Sequence, residues 1–298
     1  MMGTSPGVTD FSDAHQTGNK RIRLEGAGAT DNLIYFVGTA TTIIRHAGFT
    51  VLTDPNYLHR GQRAYLGHGL WSKRRTEPVF PPGGMPAPDL IDLSHLHGDH
   101  FDRVSRRALA GNVPVITTLE AAQTLRGRGF PAACGMRTWQ AVDLTRDDAQ
   151  LRVTATPGRH ALGAARRLRL PPVMGTVIEF SEHPDARPFT IYVTGDTLLF
   201  DELRAVRERF PSIDLMLVHL GGTRILGMLV TMDARQGADL MELIAPHTTV
   251  PIHYDDYGAF RSPLADFERE IRARDLDGQV RFLARGDTLP LPAAATTR

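Results

Sequence analysis

The densest concentration of chemistry in this 298-residue chain is Ser94-His95-Leu96-His97-Gly98-Asp99-His100-Phe101-Asp102, where four ligand-type side chains fall within six positions. In an extended segment alternate side chains share a face, so His95 and His97 point the same way. Gly98 lets the chain turn tightly and brings Asp99 and His100 round to the same cavity. Imidazoles with a carboxylate suit zinc and its first-row neighbours. The chain has twelve histidines, more than its size calls for, and a single cysteine.

The elements that must position these residues are mostly strands. Residues 33–37, 42–44 and 50–52 read as short strands separated by Gly38 and by Ala47-Gly48, and Asp54-Pro55 closes the third. A strand at 90–93 delivers His95. Helical character follows at 104–110, a strand at 113–117 and a helix at 120–128. Strands at 151–155, 176–180, 190–193, 215–219 and 249–252 lead into His160, Asp196, His219 and His253, with a helix at 198–208 between them. Asp233 caps a helix to about residue 244, with Gln236 placed for a capping box. Ser262-Pro263 suits the start of a last helix, and 280–283 reads as a final strand. Residues 1–31 read as a flexible leader and 32–298 as a single domain. The recurrent event is a strand that ends in a polar, metal-competent residue, which is how a sheet edge gathers ligands from distant positions.

The HxHxDH motif resembles the signature of the metallo-β-lactamase superfamily, and the resemblance runs from about Asn32 onward. It continues through His160 in Pro-Gly-Arg-His, Asp196 in Thr-Gly-Asp-Thr and His253 in Val-Pro-Ile-His. It implies an α/β fold of the αββα sandwich type, two mixed sheets packed face to face with outer helices. It also implies two divalent metal ions, zinc by default with manganese or iron admitted. One takes His95, His97 and His160, the other Asp99, His100 and His253, and Asp196 bridges them. Asp54, in Leu-Thr-Asp-Pro, matches an acidic position near the ligands and is a candidate to hold a ligand histidine from behind. Leu-Thr-Asp-Pro, Arg-Thr-Glu-Pro and Ser-His-Leu-His-Gly-Asp-His-Phe-Asp are most similar to the branch of L-ascorbate 6-phosphate lactonase and N-acylphosphatidylethanolamine phospholipase D. The chain departs at Gly38-Thr39, where many relatives carry a histidine after the glycine.

Two such ions can share a hydroxide and lower the pKa of bound water to near 7, which gives a nucleophile without serine or cysteine. Asp99 is the catalytic candidate: it can orient the nucleophile and carry a proton to the leaving group. Three segments are expected to wall the site. Residues 57–75 carry Arg60, Arg63, Lys73, Arg74, Arg75, Tyr65 and Trp71; the stretch after His160 carries Arg166, Arg167 and Arg169; residues 224–232 are apolar. His219, Tyr254 and Tyr257 are candidates for substrate contact.

The net charge of +1 gives no sign of nucleic acid or an anionic membrane as partner. One cysteine, Cys134, forbids an intramolecular disulfide and fits a reducing, cytoplasmic setting. No apolar run is long enough for a membrane span, and neither a GxSxG elbow nor a P-loop is present. The expected activity is hydrolysis of an ester-type bond, a phosphodiester or a lactone or carboxylic ester, in a small-molecule or lipid substrate. A non-catalytic metal-binding sensor or scaffold is the alternative, and a homo-oligomer stays open.

Overall fold

The computed structural model describes residues 20–24, 28–67, 69–84, 87–109, 111–163, 165 and 170–293. The strands in chain order are β1 (Lys20–Arg23), β2 (Leu33–Gly38), β3 (Thr41–His46), β4 (Phe49–Thr53), β5 (Arg63–Tyr65), β6 (Trp71–Lys73), β7 (Leu90–Asp92), β8 (Val115–Thr118) and β9 (Ala133–Met136). They continue with β10 (Ala141–Arg146), β11 (Ala149–Thr156), β12 (Gly175–Ser181), β13 (Phe189–Val193), β14 (Leu215–His219), β15 (Arg224–Ile225), β16 (Met228–Leu229), β17 (Thr248–Ile252) and β18 (Thr288–Pro290). The α-helices are α1 (Arg103–Ala108), α2 (Leu119–Arg126), α3 (Arg204–Arg209), α4 (Ala234–Ile244) and α5 (Leu264–Ala273).

Two seven-stranded sheets form, ordered β18-β2-β3-β4-β7-β8-β9 and β1-β10-β11-β12-β13-β14-β17. Both are mixed: β4, β7, β8 and β9 run parallel, as do β13, β14 and β17, while the remaining pairs of β2–β4 and β10–β13 are antiparallel. The inner faces bury one core, with Ile34, Phe36, Ile44 and Val51 from the first sheet against Val153, Ile178, Ile191 and Leu217 from the second. Full burial of each such side chain contributes about 1.5–3 kcal/mol. A second cluster packs Leu203, Val206, Leu240, Met241 and Phe267 of the helical segments onto the outer face of the second sheet. A third packs Ala122 and Leu125 of α2 onto the first. The layers are therefore helix, sheet, sheet, helix, as the sequence led us to expect.

Several local expectations are corrected. Within the stretch read as a leader, β1 pairs in parallel with β10, and Ile22 and Leu24 lie in the inter-sheet core. Among the described residues the last strand is β18, paired with β2, and not 280–283, where Val280 makes an isolated bridge to Thr249. Ser262 does not cap α5, whose N-cap is Pro263 without a side-chain bond; the Ser262 hydroxyl instead accepts from the backbone N–H of Ala234 at the start of α4. Asp233 does cap α4, accepting from Gln236 N–H, but the Gln236 side chain turns away to accept from Leu199 N–H, so only half of the capping box forms.

Candidate metal centre

The C-terminal ends of β4, β7, β11, β13, β14 and β17 deliver Asp54, His95, His160, Asp196, His219 and His253 to one edge of the sandwich. Strands of both sheets contribute, so the residues meet across the seam. The turn after β7 is tight: His100 and Phe101 both donate backbone N–H bonds to the His97 carbonyl. Gly98 is needed there for proximity and not for an unusual φ. Its N–H donates to the Tyr65 carbonyl, and a Cβ at this position would stand 2.7 Å from the Tyr65 nitrogen. Asp102 ends the motif by capping α1 and accepting from the backbone N–H groups of Tyr57 and Leu58. That bond ties the following wall segment to the motif.

Two positions at the edge hold left-handed backbone without being glycine, Asp54 (φ 34°) and His253 (φ 62°). A third, Thr39 (φ 55°), braces His253, whose N–H donates to the Thr39 carbonyl at 2.8 Å. Such conformations cost of order 1–3 kcal/mol each and persist only where surrounding contacts hold them. Gly195 (φ 63°) performs the equivalent turn before Asp196, where a Cβ would meet the Met174 carbonyl oxygen at 2.4 Å.

The donor atoms fall into two adjoining sets, His95, His97 and His160, and Asp99, His100, Asp196 and His253; within each they lie within 4.8 Å of one another. Hydrogen bonds behind the rings fix which nitrogen is bare. The Ser94 hydroxyl donates to Asp54 Oδ1, so it accepts from His95 Nδ1 at 3.0 Å and leaves His95 Nε2 as a lone pair. His160 Nδ1 donates to the Val230 carbonyl at 2.9 Å, leaving its Nε2 bare. These two lone pairs face each other at 3.0 Å, with His97 Nδ1 2.8 Å from His95 Nε2. His100 Nδ1 faces Asp54 Oδ2 at 3.2 Å and its Nε2 points to Asp196 Oδ2 at 3.3 Å. His253 Nδ1 donates to the Leu220 carbonyl, and its Nε2 faces Asp99 Oδ2 at 3.6 Å. The buried atoms His97 Nε2, His100 Nε2, His253 Nε2, Asp99 Oδ1 and Asp196 Oδ1 have no hydrogen-bond partner. Lone pairs and carboxylate oxygens converging without protons between them repel, and buried polar atoms without partners are costly. Shared cations relieve both problems, so the donor set fits divalent metal.

The protonation tendencies agree. Burial pushes His95 well below the usual imidazole range, and His97 down to about 3, helped by positive charge on neighbouring histidines. Burial lowers His160 as well. These rings are neutral and ready to donate. Burial acts the same way on His100 and His253 but is outweighed by Asp196, with Asp54 and Asp99 adding at His100 and Asp99 at His253, so both are raised. The second set thus calls for positive charge. Asp54 is buried, which alone would raise its carboxyl, yet the charge on His100 and bonds from His100 and His219 hold it at about 2.

Asp54, His100 and His219 form a third group of ligand types. It differs because the atoms its members turn towards one another are paired. Asp54 accepts from Ser94 N–H, the Ser94 hydroxyl and His219 Nε2, while His219 Nδ1 lies 3.2 Å from the Thr194 hydroxyl. This group orients His100 directly and His95 through Ser94.

A model of the β-lactamase superfamily domain matches residues 50–254. The chain belongs to the metallo-β-lactamase superfamily of metal-dependent hydrolases. Among members of the superfamily, a UPF0173 metal-dependent hydrolase of Anaeromyxobacter dehalogenans is 30% identical over 251 residues, covering 83% of this chain and 85% of its own. One from Nanoarchaeum equitans is 25% identical over 224 residues, covering 72% and 94%. In fold the chain is similar to an isothiocyanate hydrolase from Delia radicum gut bacteria (TM-score 0.72, 20% identity, 88% of this chain and all of that one). It is also similar to CmlA, a diiron β-hydroxylase from Streptomyces venezuelae (TM-score 0.64, 18% identity, 88% of this chain and 55% of that one).

As in other clefts at strand ends, a cavity opens over the donors, and His97, Asp99, His160 and Asp196 form part of its wall. The substrate candidates fare differently from the metal-competent residues. His219 is fully buried behind Asp54 and does not line the cavity. The Tyr254 hydroxyl donates to the Leu283 carbonyl and that of Tyr257 to Asn56 Oδ1, both away from the cavity. Of the basic residues in 57–75, Lys73 lines the cavity, but Arg74 is fully buried, bonded to Asn56 and 3.8 Å from Asp256. Arg166, Arg167 and Arg169 lie outside the described residues. The apolar segment does form a wall, through β15 and Val230. Arg261 also lines the cavity and escaped sequence reasoning, since nothing in its neighbourhood marks it. Among the described residues no helix is long and apolar enough to cross a membrane.

Proposed function

We propose that this chain hydrolyses an ester-type bond, a phosphodiester or a lactone or carboxylic ester, using two divalent ions. His95, His97 and His160 would hold one, Asp99, His100 and His253 the other, with Asp196 between them. The observation that carries this reading is the pair of adjoining donor sets whose bare lone pairs face one another beneath an open cavity. Zinc is the first candidate, and the nitrogen and oxygen donors also admit manganese or iron. Bound there, the ions supply Lewis acidity and a nucleophile at neutral pH.

The chain's own residues then have separate tasks. His95, His100 and His253 are fully buried and set the geometry from below. Asp99 reaches the cavity wall with Oδ1 free of any hydrogen bond. It can orient the attacking group and pass a proton to the leaving oxygen. Asp54 holds His100 in one tautomer. The similarity in motif to the lactonase and phospholipase D branch supports the ester-type chemistry.

The test is hydrolysis by metal-loaded protein of a panel of phosphodiesters, lactones and carboxylic esters, with His97→Ala alongside. Activity confined to one class and lost in the variant is expected. No hydrolysis of any class by fully loaded protein would reject the reading in favour of a metal-binding sensor or scaffold.

A further inference from the structure

The cavity above the donors measures about 320 Å3, at the small end of the roughly 300–1,000 Å3 span of ligand sites. Its floor is the metal-competent cluster. Leu66, Leu70 and Trp71, with Ile225 and Val230, make much of its wall apolar. Three cations complete the lining: Lys73 at the end of β6, Arg224 at the start of β15, and Arg261. They come from three distant segments, and all three residues line one small space.

Their charges are poorly compensated. Among the described residues, neither Lys73 nor Arg261 forms an ion pair. Arg224 donates to the Gly227 carbonyl and stands 3.9 Å from Asp233, at the outer limit of an ion pair. Arg224 and Arg261 also border a neighbouring depression with Asp233, Asp266 and Glu270, but those carboxylates do not line the cavity. The carboxylates that do are Asp99 and Asp196, both committed to the floor. Arg261 is held firmly at its backbone, whose N–H donates to the Gly221 carbonyl. It also follows Phe260, whose ring packs 4.3 Å from that of His253. An unpaired guanidinium or ammonium beside a cavity is a ready partner for an oxyanion, through charge-assisted bonds.

We infer that the substrate carries an oxyanion, carboxylate or phosphoryl, remote from the bond that is cleaved, joined to it by a short apolar segment. The inference deepens the proposed hydrolase reading and rests on it. The floor takes the reacting group, the aliphatic and aromatic walls take the connecting carbons, and Lys73 and Arg261, with Arg224 beside them, take the distal charge. The volume suits a metabolite; a two-chain lipid would have to extend past Trp71, which is already 59% exposed.

The experiment compares two five-carbon acids, glutarate and pentanoate, binding to the metal-loaded full-length protein by titration calorimetry. Both offer one carboxylate to the floor, so the second carboxylate of glutarate reads the rim. Glutarate is expected to bind at least about tenfold more tightly, the worth of a modest charge-assisted contact. In a Lys73→Gln, Arg261→Gln double variant that ratio collapses towards one. A ratio cancels any loss of folded or loaded protein. Equal binding of the two acids, or a preference that survives the double substitution, overturns the inference. The matched esters, mono-4-nitrophenyl glutarate and 4-nitrophenyl pentanoate, are assayed in parallel. An acid preference without hydrolysis of either ester upholds the anion site while counting against carboxylic ester cleavage. 4-Phosphonobutanoate separates the two oxyanions: tighter binding than glutarate, lost in the double variant, assigns a phosphoryl group, and weaker binding a carboxylate.

Discussion

Replacing Asp54 by asparagine tests the support behind the donors. Four contacts converge on the two oxygens of Asp54. Oδ1 accepts from Ser94 N–H at 2.8 Å and from the Ser94 hydroxyl at 2.9 Å, while Oδ2 lies 3.2 Å from His100 Nδ1 and 3.3 Å from His219 Nε2. An amide keeps one acceptor oxygen, so whichever way it turns, its NH2 confronts two donors. With the oxygen kept on Ser94, His100 loses its anionic partner and the tautomer that leaves Nε2 bare is no longer enforced. A hydrogen bond to a charged group contributes about 1.5–3 kcal/mol, or roughly tenfold to a hundredfold in affinity for the ion at His100, the range found when carboxylates behind ligand histidines are removed. His95 feels the change only through Ser94, so the ion at His95, His97 and His160 should change less. Competition against a chromophoric chelator, with stepwise constants for the two ions, measures this. If both constants stay within about twofold of the parent protein, below the range for such support, the orienting role assigned to Asp54 is wrong.

Two further outcomes follow from residues away from the cavity. Asp92 in β7 is buried, accepts from the Thr176 hydroxyl and has Oδ1 without a partner; burial, reinforced by the charge of Asp54, pushes it up from 3.8 to about 7. Because the folded pKa lies above the unfolded one, the stability contribution is full below about pH 4 and is lost as pH rises to 7, a swing of about 4 kcal/mol. Asp92→Asn should therefore raise Tm at pH 8 and gain much less at pH 5; an equal effect at the two pH values would contradict the assignment. Ile22→Ala should cost about 2–5 kcal/mol in chemical denaturation, because Ile22 is 2% exposed in the inter-sheet core; a loss of a few tenths would mean that β1 is peripheral.

The parts of the fold legible in the sequence are those where local pattern and burial agree. The strands around 33–53 and 175–219 are rich in β-branched, aromatic and other apolar side chains, and those at 49–53, 189–193 and 215–219 lead into Asp54, Asp196 and His219. β1 was hidden because Lys20-Arg21-Ile22-Arg23 offers only one apolar side chain to the core. β9, Ala-Cys-Gly-Met, was hidden because it is short and of low strand propensity; its pairing with β8 supplies what propensity does not. At the site, HxHxDH declared itself because its spacing is local. Arg74 was expected in the wall of the site and is instead buried, because its partners Asn56 and Asp256 are not local in sequence. Arg261 went unnoticed for the same reason, and the direction of the Tyr254 and Tyr257 hydroxyls depends on Leu283 and Asn56, which no local pattern reveals.

The most direct test of the two-ion account is anomalous diffraction from crystals soaked with zinc, recorded on both sides of the zinc edge. The account predicts two peaks about 3.5–4 Å apart, one among His95, His97 and His160 and the other among Asp99, His100, Asp196 and His253. No peak at these residues, or a single peak among Asp54, His100 and His219, would contradict it.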